Sequence, residues 1–154
     1  MILKVFGAFL GVLAFSVLLE VPKKYLLYAG AVGAVGGFVY LFAGKFGAND
    51  VFATFLSAFT IALISHVFAR LFKTPVTVFL IPGIVPTVPG GGMYHIGYYL
   101  FQKNTELTAY HITNTLQLAG AIAIALFIVD AVFRLFQKGW KQNSMRYEQK
   151  DVDK

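Results

Sequence analysis

The sequence predicts an all-α fold, a polytopic membrane helical bundle of about five transmembrane segments in which the fourth is discontinuous. Three observations predict it. The 154-residue chain is 58% hydrophobic and only 13% charged, with a mean hydropathy of +0.71, values outside the range of soluble domains. Five apolar runs follow one another between charged or glycine-containing stretches. The fourth run holds four of the five prolines and a glycine triplet, which one continuous helix does not tolerate.

Composition and motifs exclude several classes of function. The sequence has no cysteine, so it can form neither a disulfide framework nor a thiolate metal site. It shows no nucleophile–base arrangement, phosphate-binding loop or metal-ligand spacing, so we expect no enzyme, no cofactor and no metal. The formal net charge of +6 could suggest nucleic acid. In a membrane protein, however, the positions of lysine and arginine report topology, and we expect no nucleic-acid partner.

The transmembrane domain is predicted to cover residues 1–140, followed by a charged cytoplasmic tail at residues 141–154 that is exposed and has a disordered end. The predicted spans are residues 2–20, 25–43, 51–72, 75–102 and 108–137. The first span is short for the roughly twenty residues that cross a bilayer. A signal peptide with Lys4 as its basic end is the alternative, but the remaining chain is equally apolar.

Small residues on the second and third spans predict close helix packing. Gly33 and Gly37 form a GxxxG pair with Ala29 one step before, a strip that lets another backbone approach closely. A direct role in a pore is the alternative. On the third span, small and polar residues share one face that we expect to look inward, namely Thr54, Ser57, Ala58, Ala62 and Ser65. The opposite, lipid-facing side carries Phe52, Leu56, Leu63 and Val67.

The interrupted fourth span predicts a polar site inside the membrane. Unwound backbone at membrane depth must be satisfied by protein or by a water-filled cavity. We therefore expect two short helices around an unwound centre, residues 82–92, as in the discontinuous helices of transporters. If the second helix begins near Gly92 and Met93, its free N–H groups and positive dipole end suit a carboxylate. Tyr94 and His95 would add polar side chains, and a kink without a ligand is the alternative.

The fifth span has a polar face over its first half, formed by Tyr110, Thr113, Asn114, Gln117, Gly120 and Ala121. Asn114 and Gln117 offer hydrogen-bond donors and acceptors from a face that lipid would disfavour. Together the two spans give the predicted substrate-binding residues, which are Pro82, Gly83, Pro86, Pro89, Gly90, Gly91, Gly92, Tyr94, Asn114 and Gln117.

Three titratable residues within the spans are candidates for proton coupling: His66, His95 and Asp130. For Asp130 the alternative is a local ion pair, because Arg134 follows one helical turn later. For His66 the alternative is ordinary packing. Convergence of all three residues in one pocket would instead indicate an intramembrane enzyme.

The distribution of basic residues predicts an N-terminus outside and a C-terminus in the cytoplasm. With the C-terminus inside, the inner segments hold ten lysines and arginines. The outer segments hold three, namely Lys4, Lys45 and Lys103. The sequence therefore predicts a multi-pass protein of the plasma or inner membrane, with the lipid bilayer as its surroundings.

The prolines and glycines of the fourth span resemble those of the ThrE-type threonine/serine exporter family, specifically its smaller C-terminal-half membrane subunit. The resemblance lies in Pro75, Val78-Phe79, Ile81-Pro82-Gly83, Pro86, Val88-Pro89-Gly90 and Tyr94, followed by Thr113-Asn114 in a glycine- and alanine-rich helix. It extends from about residue 5 to residue 140.

This resemblance implies a two-component exporter, in which the five spans join five more from a second subunit that also carries a cytoplasmic domain. It implies export of threonine and serine, small carboxylate-bearing molecules, driven by the proton motive force. Some two-subunit relatives look like exporters of dicarboxylates such as succinate, and the sequence leaves the cargo open. A non-transporting membrane scaffold or assembly subunit is the alternative of another class. The sequence also leaves open whether several copies of the chain form a homo-oligomer.

Overall fold

Six helices make up the computed structural model, which describes residues 2–152 and, for side-chain surroundings, residues 2–135. The helices are α1 (Ile2–Leu18), α2 (Leu26–Lys45), α3 (Asp50–Leu71), α4 (Thr77–Ile84), α5 (Gly90–Phe101) and α6 (Thr105–Val152). Two 3-10 turns, Lys23–Tyr25 and Val85–Thr87, join them, and residues 2–152 contain no strand. The all-α prediction is therefore confirmed.

Among the described residues, three stretches are long and apolar enough to cross a membrane individually: Lys23–Lys45, Asp50–Leu71 and Thr105–Leu135. Helix α1 is a shorter apolar helix of 17 residues, about 25 Å long. The fourth span is divided between α4 and α5, as the sequence predicts. Helix α6 continues to Val152, so the predicted tail is helical up to that residue. The last two residues of its expected disordered end, 153 and 154, lie outside the described residues.

Four helices end in the same backbone motif. One residue in each turn has a positive φ: Glu20 (55°), Gly47 (79°), Lys73 (51°) and Lys103 (56°). The N–H that follows it returns to a carbonyl five residues back, as in Thr74 to Ala69 at 2.9 Å and Val21 to Ser16 at 3.0 Å. These bonds satisfy carbonyls that a helix end would otherwise leave free. Each motif stops one helix and reverses the chain.

Helix α2 is the centre of a bundle formed by α1, α2, α3 and α4. Two of its glycines stand where a side chain would collide with a neighbour: Gly33 against Val12 of α1 and Gly36 against Ile61 of α3. A Cβ at Gly37 would lie 3.0 Å from that of Ala8. The small strip predicted on this span therefore packs against α1, and its two glycines, Gly33 and Gly37, also line the cavity described below.

Helix α3 buries the face predicted for it. Thr54, Ser57, Ala58, Ala62 and Ser65 are all buried. The Ser57 hydroxyl donates a hydrogen bond of 2.9 Å to the Gly36 carbonyl, joining α3 to α2. Phe52, Leu63 and Val67 are exposed on the opposite side, which is where lipid would lie.

Helix α5 leaves this bundle and packs mainly on α6. It contains no buried residue. Helix α6 in turn contacts α3, where Ile122 and Ala125 meet Ala58 in one apolar cluster. We call α5 and residues 105–118 of α6 the helical arm, because they extend from the bundle with most of their surface uncovered.

Candidate functional site

The interruption in the fourth span is shorter than the sequence predicts. Pro82 and Gly83 lie within α4, and Val85–Thr87 form a 3-10 turn. Only Val88 and Pro89 are non-helical, and α5 begins at Gly90 rather than near Gly92. The expected unwound centre at residues 82–92 is thus wrong in extent. A proline removes a single hydrogen bond, which for Pro82 is the bond to the Val78 carbonyl, and this eight-residue helix tolerates that loss.

A cavity of about 360 Å³ lies beside this interruption. Its walls are the first turns of α1, the second half of α2, the first half of α3 and the segment from Gly83 to Pro89, with Leu118 reaching in from α6. On α3 the lining runs from Asp50 to Ile61, which is about 16 Å of helix. This length is about half the roughly 30 Å thickness of a bilayer core.

Five polar side chains line the cavity: Lys4, Tyr40, Asp50, Thr54 and Thr87. The Tyr40 phenol lies next to the Asp50 carboxylate, which begins α3. Thr54 is buried, and the Thr87 hydroxyl donates a 2.6 Å hydrogen bond to the Ile84 carbonyl at the end of α4. The lining therefore combines one cation, one anion and hydroxyl groups with apolar walls.

The sequence-predicted substrate residues divide between this cavity and other surfaces. Gly83, Pro86 and Pro89 line the cavity. Pro82 is buried and lines a separate, smaller cavity beside the turn that follows α1. Gly90, Gly91, Gly92 and Tyr94 lie on α5 and are not part of the lining. A side chain at Gly90 or Gly91 would meet open space, whereas one at Gly92 would collide with Thr115.

The polar face predicted on α6 does not meet the interruption. Gln117 is exposed and Asn114 is half-buried, and neither lines the cavity. The buried side of α6 instead carries Thr108, Thr115, Ile122 and Val129. Assigning the inward face of α6 from its polar residues alone therefore gave the wrong side of the helix. The seven-residue spacing of these four positions was the available signal, because residues seven apart lie two turns apart on one face.

The three proton-coupling candidates occupy two places. At one, the His66 Nε2 lies 3.9 Å from Asp130 Oδ1, and Arg134 Nε lies 2.6 Å from Asp130 Oδ2. The local pair expected for Asp130 is therefore present. His66 also stacks on Phe133 with ring centroids 4.5 Å apart.

At the other place, His95 stacks on His111 with centroids 4.9 Å apart, and its Nδ1 lies 2.6 Å from the Gly91 carbonyl oxygen. Phe133 and His111 are 22 residues apart on α6, about 33 Å along the helix. The three candidates therefore do not share one pocket, and the condition set for an intramembrane enzyme is not met. No cluster of three metal-ligating groups occurs among residues 2–135.

The fold and this cavity can be compared with known families. The model of a family described as "Threonine/Serine exporter, ThrE" matches residues 4–132. The chain belongs to the threonine/serine exporter ThrE family. The match covers α1 to α5, the membrane portion of α6 and every residue that lines the cavity. No solved structure matches the chain. A ThrE-family chain with this hydropathy and these helices is a multi-pass membrane transporter of the exporter type.

Proposed function

We propose that this ThrE-family chain is one membrane subunit of a two-component exporter that carries threonine and serine out of the cell, driven by the proton motive force. The observation that carries the proposal is the cavity beside the helix interruption, which combines charged residues in the first turns of α1 and α3 with the hydroxyl groups of Tyr40, Thr54 and Thr87. Transporters of several folds bind substrates at such places, where interrupted helices leave backbone and polar groups available.

The proposal is tested by efflux of threonine from vesicles, with and without the second subunit. A leucine at Thr54 would fill the cavity, because this buried residue lines it. Thr60→Leu is the matched control, since Thr60 lies on the same helix outside the lining and donates its hydroxyl bond to Leu56 in the same helix. We expect Thr54→Leu to abolish efflux while insertion and assembly persist. Wild-type efflux from this variant would move the substrate route elsewhere and favour a scaffold role.

A second subunit is proposed because the helical arm exposes groups that lipid disfavours. Gln117 and Thr113 are exposed within an apolar span. Polar side chains in spans are more favourable when they hydrogen-bond another helix. Side chains at Gly90, Gly91 and Gly97 would meet open space, so a neighbouring backbone has room to approach. We assign this face to the second five-span subunit.

Proton coupling is proposed for His66 rather than for Asp130 or His95. Arg134 already neutralises Asp130 at 2.6 Å, whereas His66 is the third member of that group and titrates near physiological pH in its unperturbed form. We expect His66→Gln to flatten the pH dependence of threonine efflux while leaving assembly intact. His111→Gln, which removes a histidine at the other end of α6, is the control.

The proposed orientation places the N-terminus, and with it the end of the cavity that Lys4 and Asp50 line, outside. Because the chain has no cysteine, single cysteines can report it directly. We expect cysteines near Gly47 and Asn104 to react with an impermeant reagent from outside, and one near Gln142 to be protected. The reverse pattern would overturn the orientation and the opposed pairing with the second subunit.

A further inference from the structure

The cavity presents one side chain of each charge, and the two come from different helices. Lys4 lies in the first turn of α1 and Asp50 in the first turn of α3, and both contribute to its lining. Within residues 2–135, the ion pairs closer than 4.0 Å are those of Asp130 with His66 and with Arg134. Lys4 and Asp50 therefore do not form an ion pair with each other, and the side-chain neighbour of the Asp50 carboxylate is the uncharged Tyr40 phenol.

We propose that Lys4 and Asp50 form a binding site for a zwitterionic α-amino acid, an inference that rests on the exporter function proposed above. The Lys4 ammonium binds the carboxylate of the amino acid, and the Asp50 carboxylate binds its ammonium group. Both contacts are charge-assisted hydrogen bonds, about twice as strong as neutral ones. The volume of about 360 Å³ falls within the range of small-molecule sites.

The charge balance of this site selects against dicarboxylates. A zwitterion places one charge opposite each protein charge, so both are neutralised. A dicarboxylate such as succinate would pair one carboxylate with Lys4 and bring the other toward Asp50, and like charges at close range repel. The site therefore distinguishes the two cargo classes that the sequence leaves open.

The remaining lining suits a small hydroxylated side chain. The Tyr40 phenol lies beside Asp50 and Thr54 is buried in the wall, so hydroxyl groups stand near the ammonium end. Val88 and Leu118 also line the cavity and supply apolar surface. Threonine has one hydroxyl and one methyl group, so its side chain can contact both the hydroxyl-bearing and the apolar residues of the lining.

Threonine efflux with increasing internal threonine, and its inhibition by serine or succinate, tests the site in vesicles that contain the assembled exporter. We expect Lys4→Gln and Asp50→Asn each to raise the half-saturating threonine concentration about tenfold or more, the effect of losing a charged hydrogen bond. Lys4→Arg, which retains the positive charge, should remain within a few-fold of the unmodified protein. In Asp50→Asn we expect inhibition by succinate to increase, since the repelling charge is gone.

Two control variants isolate the effect of charge at the cavity. Lys45→Gln removes a cation from the last turn of α2, and Glu106→Gln removes an acid from the first turn of α6, and neither residue lines the cavity. Glu106→Gln also controls for the loss of a favourable charge at a helix N-terminus. Both should leave the half-saturating concentration unchanged.

The possible failures separate the two proposals. If unmodified vesicles export threonine and Lys4→Gln and Asp50→Asn do so with unchanged half-saturation, the zwitterion site is wrong and the exporter function stands. Stronger inhibition by succinate than by serine in the unmodified protein would also overturn the site. If the unmodified exporter moves neither threonine nor serine, the proposed function fails and the site fails with it.

Discussion

The bundle of α1–α4 and the helical arm use glycine in opposite ways. In the bundle, a side chain at Gly33 or Gly36 would collide with Val12 or Ile61. In the arm, Gly90, Gly91 and Gly97 face open space, and α5 buries no residue at all. The bundle is thus already packed against itself, whereas the arm retains room for another molecule.

This difference shows that glycine content does not by itself identify a substrate path. Gly33 and Gly36 are helix-packing positions in the bundle, whereas Gly90, Gly91 and Gly97 are uncovered positions in the arm. Each region can therefore be tested separately: substitutions at Gly33 should lower the stability of the chain itself, and substitutions at the uncovered glycines of the arm should act on assembly.

The largest effect is expected from Gly33→Leu. The leucine side chain would occupy the position of Val12 and separate α1 from α2, at about 3 kcal/mol or more. Gly44→Leu is the control, because a Cβ at Gly44 on the same helix meets nothing within 4 Å. Reversible unfolding of the purified chain in mixed micelles measures both. Equal stability of the two variants would contradict the packing role of the glycine strip.

A smaller effect is expected from Gly92→Val, which would place a branched side chain against Thr115 and loosen α5 from α6 by about 1–2 kcal/mol. Spin labels at the exposed positions Leu100 and Leu107 report the distance between the two helices. Gly91→Val should leave that distance unchanged in the isolated chain, yet weaken association with the second subunit. If Gly91→Val changes neither the distance between α5 and α6 nor the association with the second subunit, the face around Gly91 is uncovered in the complex too.

Gln117→Leu tests the contribution of a polar side chain on the helical arm, because it removes the amide group and keeps a side chain of similar size. We expect association with the second subunit to weaken about fivefold, corresponding to roughly 1 kcal/mol for a hydrogen bond between helices in lipid. Gln117→Asn, which retains an amide, should recover part of the loss. Pull-down titration from nanodiscs measures the affinity, and unchanged binding by Gln117→Leu would place the partner on another face.

The smallest effect is expected from Ser57→Ala, which removes the 2.9 Å hydrogen bond from α3 to the Gly36 carbonyl. Bonds of this kind contribute about 0.6 kcal/mol on average within membrane bundles. Thr60→Ala is the comparison, because the Thr60 hydroxyl bonds only to Leu56 of its own helix. The same unfolding assay in mixed micelles measures the stability of both variants. A larger loss of stability for Thr60→Ala than for Ser57→Ala would mean that the hydrogen bond between α3 and α2 contributes little to stability.

The sequence predicts the helices well because lipid imposes a simple requirement on them. Hydropathy alone places the second and third spans within two residues of α2 and α3 at each end. The inward face of α3 is predictable as well, since small and polar residues repeat along one side. Pro86 and Pro89 likewise locate the interruption in the fourth span, although they overstate its length.

The candidate site was less predictable, because it depends on distant residues meeting in space. Lys4 and Asp50 are separated by 45 intervening residues, and each looks like an ordinary charge at the end of a span. The inward side of α6 was also mistaken. A polar face on a helix indicates that something other than lipid covers it, but it does not say whether this chain or a neighbour provides the cover, and Gln117 points away from the chain.

Three of the four helix-ending turns place a charged residue at positive φ, a backbone conformation that glycine adopts more easily. For an L-residue it costs roughly 1–2 kcal/mol. Glu20, Lys73 and Lys103 all occupy such turns, so glycine at any of them should make the chain more stable. Yet each of these turns lies within three residues of a stretch that is apolar enough to cross a membrane, and a charge there resists being drawn into the bilayer. We therefore expect the three charged residues to limit how far the adjoining helices can shift along the membrane normal.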